Sequence, residues 1–164
     1  MVSLIATGLG AGFSPKAPGT AGTVVGLLLA YGIREWSALA QVLVFAVLFL
    51  AGWWATWEWS RNTRQSDSQR IVIDEILGYL VAICLLPKVN LVLWVQFGLF
   101  RLFDAAKPPP IRQVDRYGKR FEIGPLQSLF VILDDLLAGV FALGLGWALL
   151  RMFGAEFGVD IPHP

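Results

Sequence analysis

The sequence predicts an all-α fold, a small polytopic membrane helix bundle with about four or five apolar helices. Three observations carry this reading. Hydrophobic residues make up 56% of the 164 residues and charged residues only 15%, against roughly 25% charge in ordinary soluble domains. Mean hydropathy is +0.64. Apolar stretches recur along the chain, and residues 38–57 form one with Gln41 as its only strongly polar member. At about 1.5 Å per helical residue, that stretch matches a hydrocarbon core of about 30 Å. A disordered chain is excluded, and an ordinary soluble enzyme is disfavoured.

Taken in order, residues 8–22 hold many glycines with Pro15 and Pro18, a composition that predicts a loop and no regular helix. The opening residues carry no basic region, so no secretory signal is expected. Residues 23–33 are apolar and short, and Arg34-Glu35 ends them. The full-length apolar segment 38–57 follows. Its end carries Trp53, Trp54, Trp57 and Trp59, the residue type that concentrates at membrane interfaces. After a polar stretch, 58–70, come apolar segments 71–86, 91–103 and 129–150. Residues 104–124 read as a polar, proline-rich loop around Lys107-Pro108-Pro109-Pro110. The chain reads as one membrane-embedded domain, 1–164. If all five segments cross, ten basic residues fall on the side of the N-terminus and the 58–70 and 101–124 loops. Only Arg34, Lys88 and Arg151 fall on the other. The positive-inside rule then makes the first side cytoplasmic.

Net charge is +1, so no global field attracts nucleic acid and no such partner is expected. Cys84 is the only cysteine and forms no intrachain disulfide; its apolar neighbours suggest a packing role. His163, the only histidine, lies in the tail, so a histidine mechanism within the fold is nearly excluded.

What remains chemically distinctive is acid. Asp74-Glu75 lies just inside the third apolar segment, Asp134-Asp135 about 8 Å into the fifth, and Arg101 and Asp104 at the end of the fourth. In the alternating topology all lie near the cytoplasmic face. Intramembrane carboxylates cost roughly 2.5–3.5 kcal/mol each at mid-membrane, and five of them repel one another unless cations intervene. Oxygen donors without His or Cys suit a hard cation, Mg²⁺ first. Arg101, Lys107 and Arg112 supply phosphate-binding charge nearby, and backbone N–H groups of the 8–22 loop offer an anion nest. Small residues track the acids: Gly78 and Ala82 after Asp74, Ala138 and Ala142 after Asp134, and Gly139 after Asp135. Such faces let membrane helices approach closely, so the acid stripe is expected to face the bundle interior. The Gly22/Gly26 pair is read as internal packing rather than a dimer contact. Lys107 precedes Pro108, which predicts that the helix bearing Arg101 and Asp104 ends near Ala106.

Four blocks together resemble one family. They are Gly10-Ala-Gly-Phe-Ser-Pro-Lys-Ala-Pro-Gly-Thr-Ala-Gly22, Ile71-Val-Ile-Asp-Glu75 with Gly78, Phe100-Arg-Leu-Phe-Asp-Ala-Ala-Lys-Pro-Pro-Pro-Ile111 with Asp115-Arg116, and Asp134-Asp135 with Ala138-Gly139. In this order they are similar to phosphatidylglycerophosphatase A over residues about 8–140. The resemblance implies a Mg²⁺-dependent lipid phosphatase of the bacterial inner membrane. Its substrate would be phosphatidylglycerol phosphate, hydrolysed to phosphatidylglycerol and phosphate. It further implies metal ligands at Asp74, Glu75, Asp134 and Asp135, with Asp104 close by. Arg101, Lys107 and Arg112 would meet the phosphate, as would Lys16, Gly19 and Thr20 of the first block; Asp104 or Glu75 could serve as general base. One departure stands out: the family's Gly-rich stretch before the Asp-Asp pair is replaced here by Leu126-Gln127-Ser128-Leu129-Phe130 after Gly124-Pro125.

Two other readings compete. A CDP-lipid phosphatidyltransferase also uses acids and Mg²⁺, but its Asp/Arg/Gly spacing is missing. A cation transporter or channel would place acids along an ion path, typically near the midplane; here they hug one face beside a basic loop.

Overall fold

The computed structural model describes residues 1–66 and 68–159; His163 and the rest of the tail from Asp160 lie outside the described residues. Every regular element among them is helical. A short helix α1 (Val2–Ala6) leads into a 3₁₀ turn (Ala11–Phe13). Then come α2 (Pro18–Ile33), α3 (Ala38–Thr63), α4 (Ile73–Ile83), α5 (Asn90–Ala106), α6 (Ile111–Gly118) and α7 (Pro125–Phe153), with a closing 3₁₀ turn (Gly154–Phe157).

Among the described residues two helices are long and apolar enough to cross a membrane: α3, and α7 with its 3₁₀ extension. Ser37 starts α3 by accepting a hydrogen bond from the Ala40 N–H at 3.3 Å. The helix runs past the apolar 38–57 stretch to Thr63, because Glu58 accepts from Arg61 at 2.8 Å and from Asn62 at 3.1 Å on one polar face. It stops at Arg64, which is left-handed at φ 56°. Leu39, Val42, Leu43, Val47 and Leu50 stand exposed along α3. The apolar helices α2, α4 and α5 are shorter, so the expected four or five spans reduce to two helices that meet the length by themselves.

α4 is the hub. It packs against α7, α2, α5 and α3, and nine of its eleven residues are buried. Glycines set these approaches. A Cβ on Gly22 would lie 2.6 Å from Val72 Cβ, and one on Gly26 would lie 3.3 Å from Ile76 Cα. The Gly22/Gly26 pair therefore seats α2 on α4 within one chain. A Cβ on Gly139 would lie 2.2 Å from the Gly78 carbonyl oxygen, and one on Gly78 would lie 2.6 Å from the Asp135 carbonyl oxygen. α4 and α7 thus touch backbone to backbone one turn from their acids, as the small-residue pattern predicts.

Three expectations need correction. Residues 8–22 are not all loop: α2 begins at Pro18, which stands in its first turn, where proline's missing N–H costs nothing. The fifth apolar helix begins at Pro125, not near 129, so Asp134 lies about 14 Å along it. The 104–124 segment contains α6, whose Ile111 and Gly118 are buried; Phe130 of α7 fills the space where a Gly118 side chain would stand. The expected end of α5 at Ala106 is found, and Lys107 follows it in a left-handed conformation, φ 42°.

A carboxylate cluster at one end of the bundle

Asp74 and Glu75 occupy the first turn of α4, where unpaired N–H groups and the helix dipole favour negative charge. Asp74 Oδ1 accepts from the Glu75 N–H at 3.1 Å. The Gly78/Gly139 contact brings α7 alongside, and oxygens of Asp74, Glu75 and Asp135 then lie within 4.8 Å of one another. Asp74 and Asp135 are buried. Among the described residues the buried Oε2 of Glu75 has no hydrogen-bond partner, an arrangement that costs free energy unless a ligand or water completes it. Three clustered carboxylates without nitrogen or sulfur donors form the set a hard divalent cation takes, so these residues fit such an ion.

Asp134, one residue along, turns elsewhere. Its Oδ2 accepts from Lys107 Nζ at 2.5 Å. Lys107 also donates to Asp115 at 3.0 Å, and Asp115 accepts in turn from Lys119 at 3.0 Å. Partial burial opposes the charge on Lys107, but Asp134 and Asp115 outweigh it and hold the ammonium pKa above its ordinary value. Burial likewise raises Asp115, yet hydrogen bonds from Lys119 and Lys107 bring its carboxyl below the usual range. On α5, Arg101 donates to Asp104 at 2.5 Å.

These groups surround a cleft of about 160 Å³, lined by Asp74, Glu75, Asp104, Lys107, Asp115, Lys119, Asp134 and Asp135, with Ser68 and Gln69 at its edge. Gly19, in the first turn of α2, backs the cluster: a Cβ there would lie 2.2 Å from Glu75 Oε1 and 3.2 Å from Arg101 Nη1. Gly19 thus supports Glu75 and Arg101 from behind without lining the cleft.

Of the sequence-predicted residues, the fold gathers Asp74, Glu75, Asp135, Asp134, Asp104 and Lys107 around one cavity. Arg101 stands behind it, paired with Asp104. Thr20 lies on α2 beside Gly19, not in a loop. Two cations fall outside. Lys16 is exposed, and exposed Arg112 donates to the Ala106 carbonyl at 3.3 Å, satisfying the end of α5. Cys84, expected to pack, is exposed and borders an apolar groove at the far end of α4. Sequence reasoning missed Asp115 and Lys119 as partners in the charge network. Their i,i+4 spacing on a short helix after Pro110 was the available signal.

A sequence model of phosphatidylglycerophosphatase A matches residues 4–150, which takes in every residue of the cluster. The chain belongs to the phosphatidylglycerophosphatase A family. This family of phosphatases includes a Haemophilus influenzae protein named phosphatidylglycerophosphatase A. It is 31% identical over 86% of this chain and 83% of its own length. The Escherichia coli protein of that name is 30% identical over 87% of this chain and 79% of its own. A Bacteroides thetaiotaomicron protein named "putative phosphatidylinositol-3-phosphatase" is 34% identical over 85% and 87%. No solved structure matches the chain. Within this phosphatidylglycerophosphatase A member, α4 and α7 contribute the buried acids and the α5–α6 connection contributes the lysine. Membership in a phosphatase family leaves the cation-transporter reading without support.

Proposed function

We propose that the protein hydrolyses the terminal phosphomonoester of phosphatidylglycerol phosphate at the cytoplasmic face of a bacterial inner membrane. The products are phosphatidylglycerol, a step of phospholipid synthesis, and inorganic phosphate. The observation that carries this reading is the meeting, in a phosphatase family, of Asp74, Glu75 and Asp135 with Lys107 in one cleft. Asp74, Glu75 and Asp135 would hold Mg²⁺, with Asp134 beside them. Bound there, the cation supplies Lewis-acid polarisation of the phosphoryl group.

The remaining roles belong to the chain. Lys107 is fixed by Asp134 and Asp115 and presents positive charge to the phosphoryl oxygens as negative charge builds on them. Asp104 lines the cleft, is oriented by Arg101, and takes the proton of the attacking water. A P–O bond to water oxygen forms, the ester P–O bond breaks, and the glycerol oxygen leaves with a proton. Gly19 backs Glu75 and Arg101 from α2. Lys16 and Arg112 lie outside the cleft and Arg101 stands behind it holding Asp104, so Lys107 carries the phosphate contact.

The membrane placement draws on the outward apolar face of α3 and on the length of α7. With α2, α4 and α5 as shorter apolar segments among them, the cleft lies at the end of the bundle that carries most of the basic residues. The test is phosphate release from phosphatidylglycerol phosphate in mixed micelles. Release should need Mg²⁺, stop with chelator, and fall on the order of 10²-fold or more in Asp135→Asn. Chelator-resistant release would remove the cation from the mechanism, and no release by the wild type would refute the activity.

A further inference from the structure

Beside the catalytic cleft lies a larger one of about 620 Å³. Gly12 and Phe13 of the glycine-rich segment, Trp59 at the end of α3, and Arg70 form its walls, and Ser68 and Gln69 line both clefts. A single ridge of chain therefore divides them.

The second cleft is preformed and cationic, with an apolar flank. A Cβ on Gly12 would lie 2.0 Å from the Arg70 carbonyl oxygen, so the glycine segment lies directly on the backbone of Arg70 and only glycine permits it. The Arg70 guanidinium sits over the Phe13 ring, 5.6 Å from its centroid, a contact that leaves its N–H fork open. Among the described residues no carboxylate forms an ion pair with it. Trp59 packs edge-on to Phe13 at 6.5 Å and lends the cleft its ring, while its indole N–H is closed off from the cavity.

We infer that this cleft receives the phosphodiester of the lipid, the phosphate joining the headgroup to diacylglycerol, while the monoester occupies the carboxylate cleft. This rests on the lipid phosphatase reading above. A headgroup with a diester and a monoester joined by a short alcohol needs two phosphate sites with a narrow divide, and Ser68-Gln69 forms that divide. Arg70 meets the diester oxygens, and the rings of Phe13 and Trp59 meet the first carbons of the diacylglycerol. Selectivity follows: phosphatidic acid, with one phosphate, cannot engage both clefts.

Two measurements on the full-length protein in detergent test this. The first is calorimetric binding of dihexanoyl phosphatidylglycerol, which has the diester and lacks the monoester. Arg70→Gln should weaken binding about tenfold, the scale of one charge-assisted hydrogen bond. Equal affinity in wild type and Arg70→Gln overturns the inference, as does no binding by the wild type. The second is the ratio of kcat/KM on phosphatidylglycerol phosphate to that on phosphatidic acid, which should fall about tenfold in Arg70→Gln; an unchanged ratio overturns it. Arg70-dependent binding by a protein that releases no phosphate would retain the second cleft and sink the phosphatase reading alone.

Discussion

Gly19→Ala separates the site from the fold. Gly19 is helical, so alanine there gains about 1 kcal/mol of intrinsic helix propensity. The added methyl, however, would lie 2.2 Å from Glu75 Oε1, whereas ordinary contact begins at 3.4 Å. The Glu75 carboxylate must therefore retreat by about 1 Å, a displacement of the size that costs on the order of 10²-fold when a catalytic group is moved. The flexible end of a glutamate can yield, so overpacking falls toward the low end of about 1–3 kcal/mol and is offset by the helix gain. We expect Gly19→Ala to melt within a few degrees of wild type, because the net stability change is below about 2 kcal/mol. Phosphate release should fall about 100-fold. In the Gly19→Ala background, Glu75→Asp, one methylene shorter, should recover part of the loss, a non-additivity that marks direct contact. Activity within about threefold of wild type in a folded Gly19→Ala protein refutes the placement of Glu75 in the reaction.

Further expectations follow from the same geometry. Lys107→Arg should lower turnover more than about tenfold, and Lys107→Ala by more, since a bulkier planar cation does not fit between Asp134 and Asp115; full activity in Lys107→Arg would refute a tight phosphate contact at Lys107. Cys84→Ala, and deletion from Asp160 onward, should leave phosphate release nearly intact. A large loss in folded Cys84→Ala protein would instead indicate a thiol nucleophile. In the Cys84→Ala background, Gln65→Cys and Arg120→Cys should react with an impermeant maleimide only after the inner membrane face is opened. Labelling in intact cells would reverse the orientation and move the cleft to the outer face.

The amino-acid pattern determined the helical class, the full-length apolar helix α3, the end of α5 before Pro108, and the acids that carry the site. These are local properties: hydropathy over a span, proline chemistry, and the rarity of carboxylates among apolar residues. The small residues following each acid also announced which helix faces meet, because close backbone approach excludes side chains whatever the surrounding fold. Tertiary structure decided the rest. Whether Gly19 belonged to a loop or a helix depended on α2 docking on α4, a contact made through Gly22 and Gly26 with residues 50 positions away in sequence. Glycine composition alone pointed the other way. The division of labour between adjacent Asp134 and Asp135 could not be read from their order. Successive residues on a helix point about 100° apart, so one meets Asp74 and Glu75 while the other meets Lys107. Nor could sequence place Asp115 against Lys107, since α6 is amphipathic and acquires its position only by burying Ile111 and Gly118 on α7. Arg112, read as a phosphate contact from its charge, instead lies outside the cleft and donates to the Ala106 carbonyl. Charge is a property of a residue, whereas the direction in which it points belongs to the packed chain.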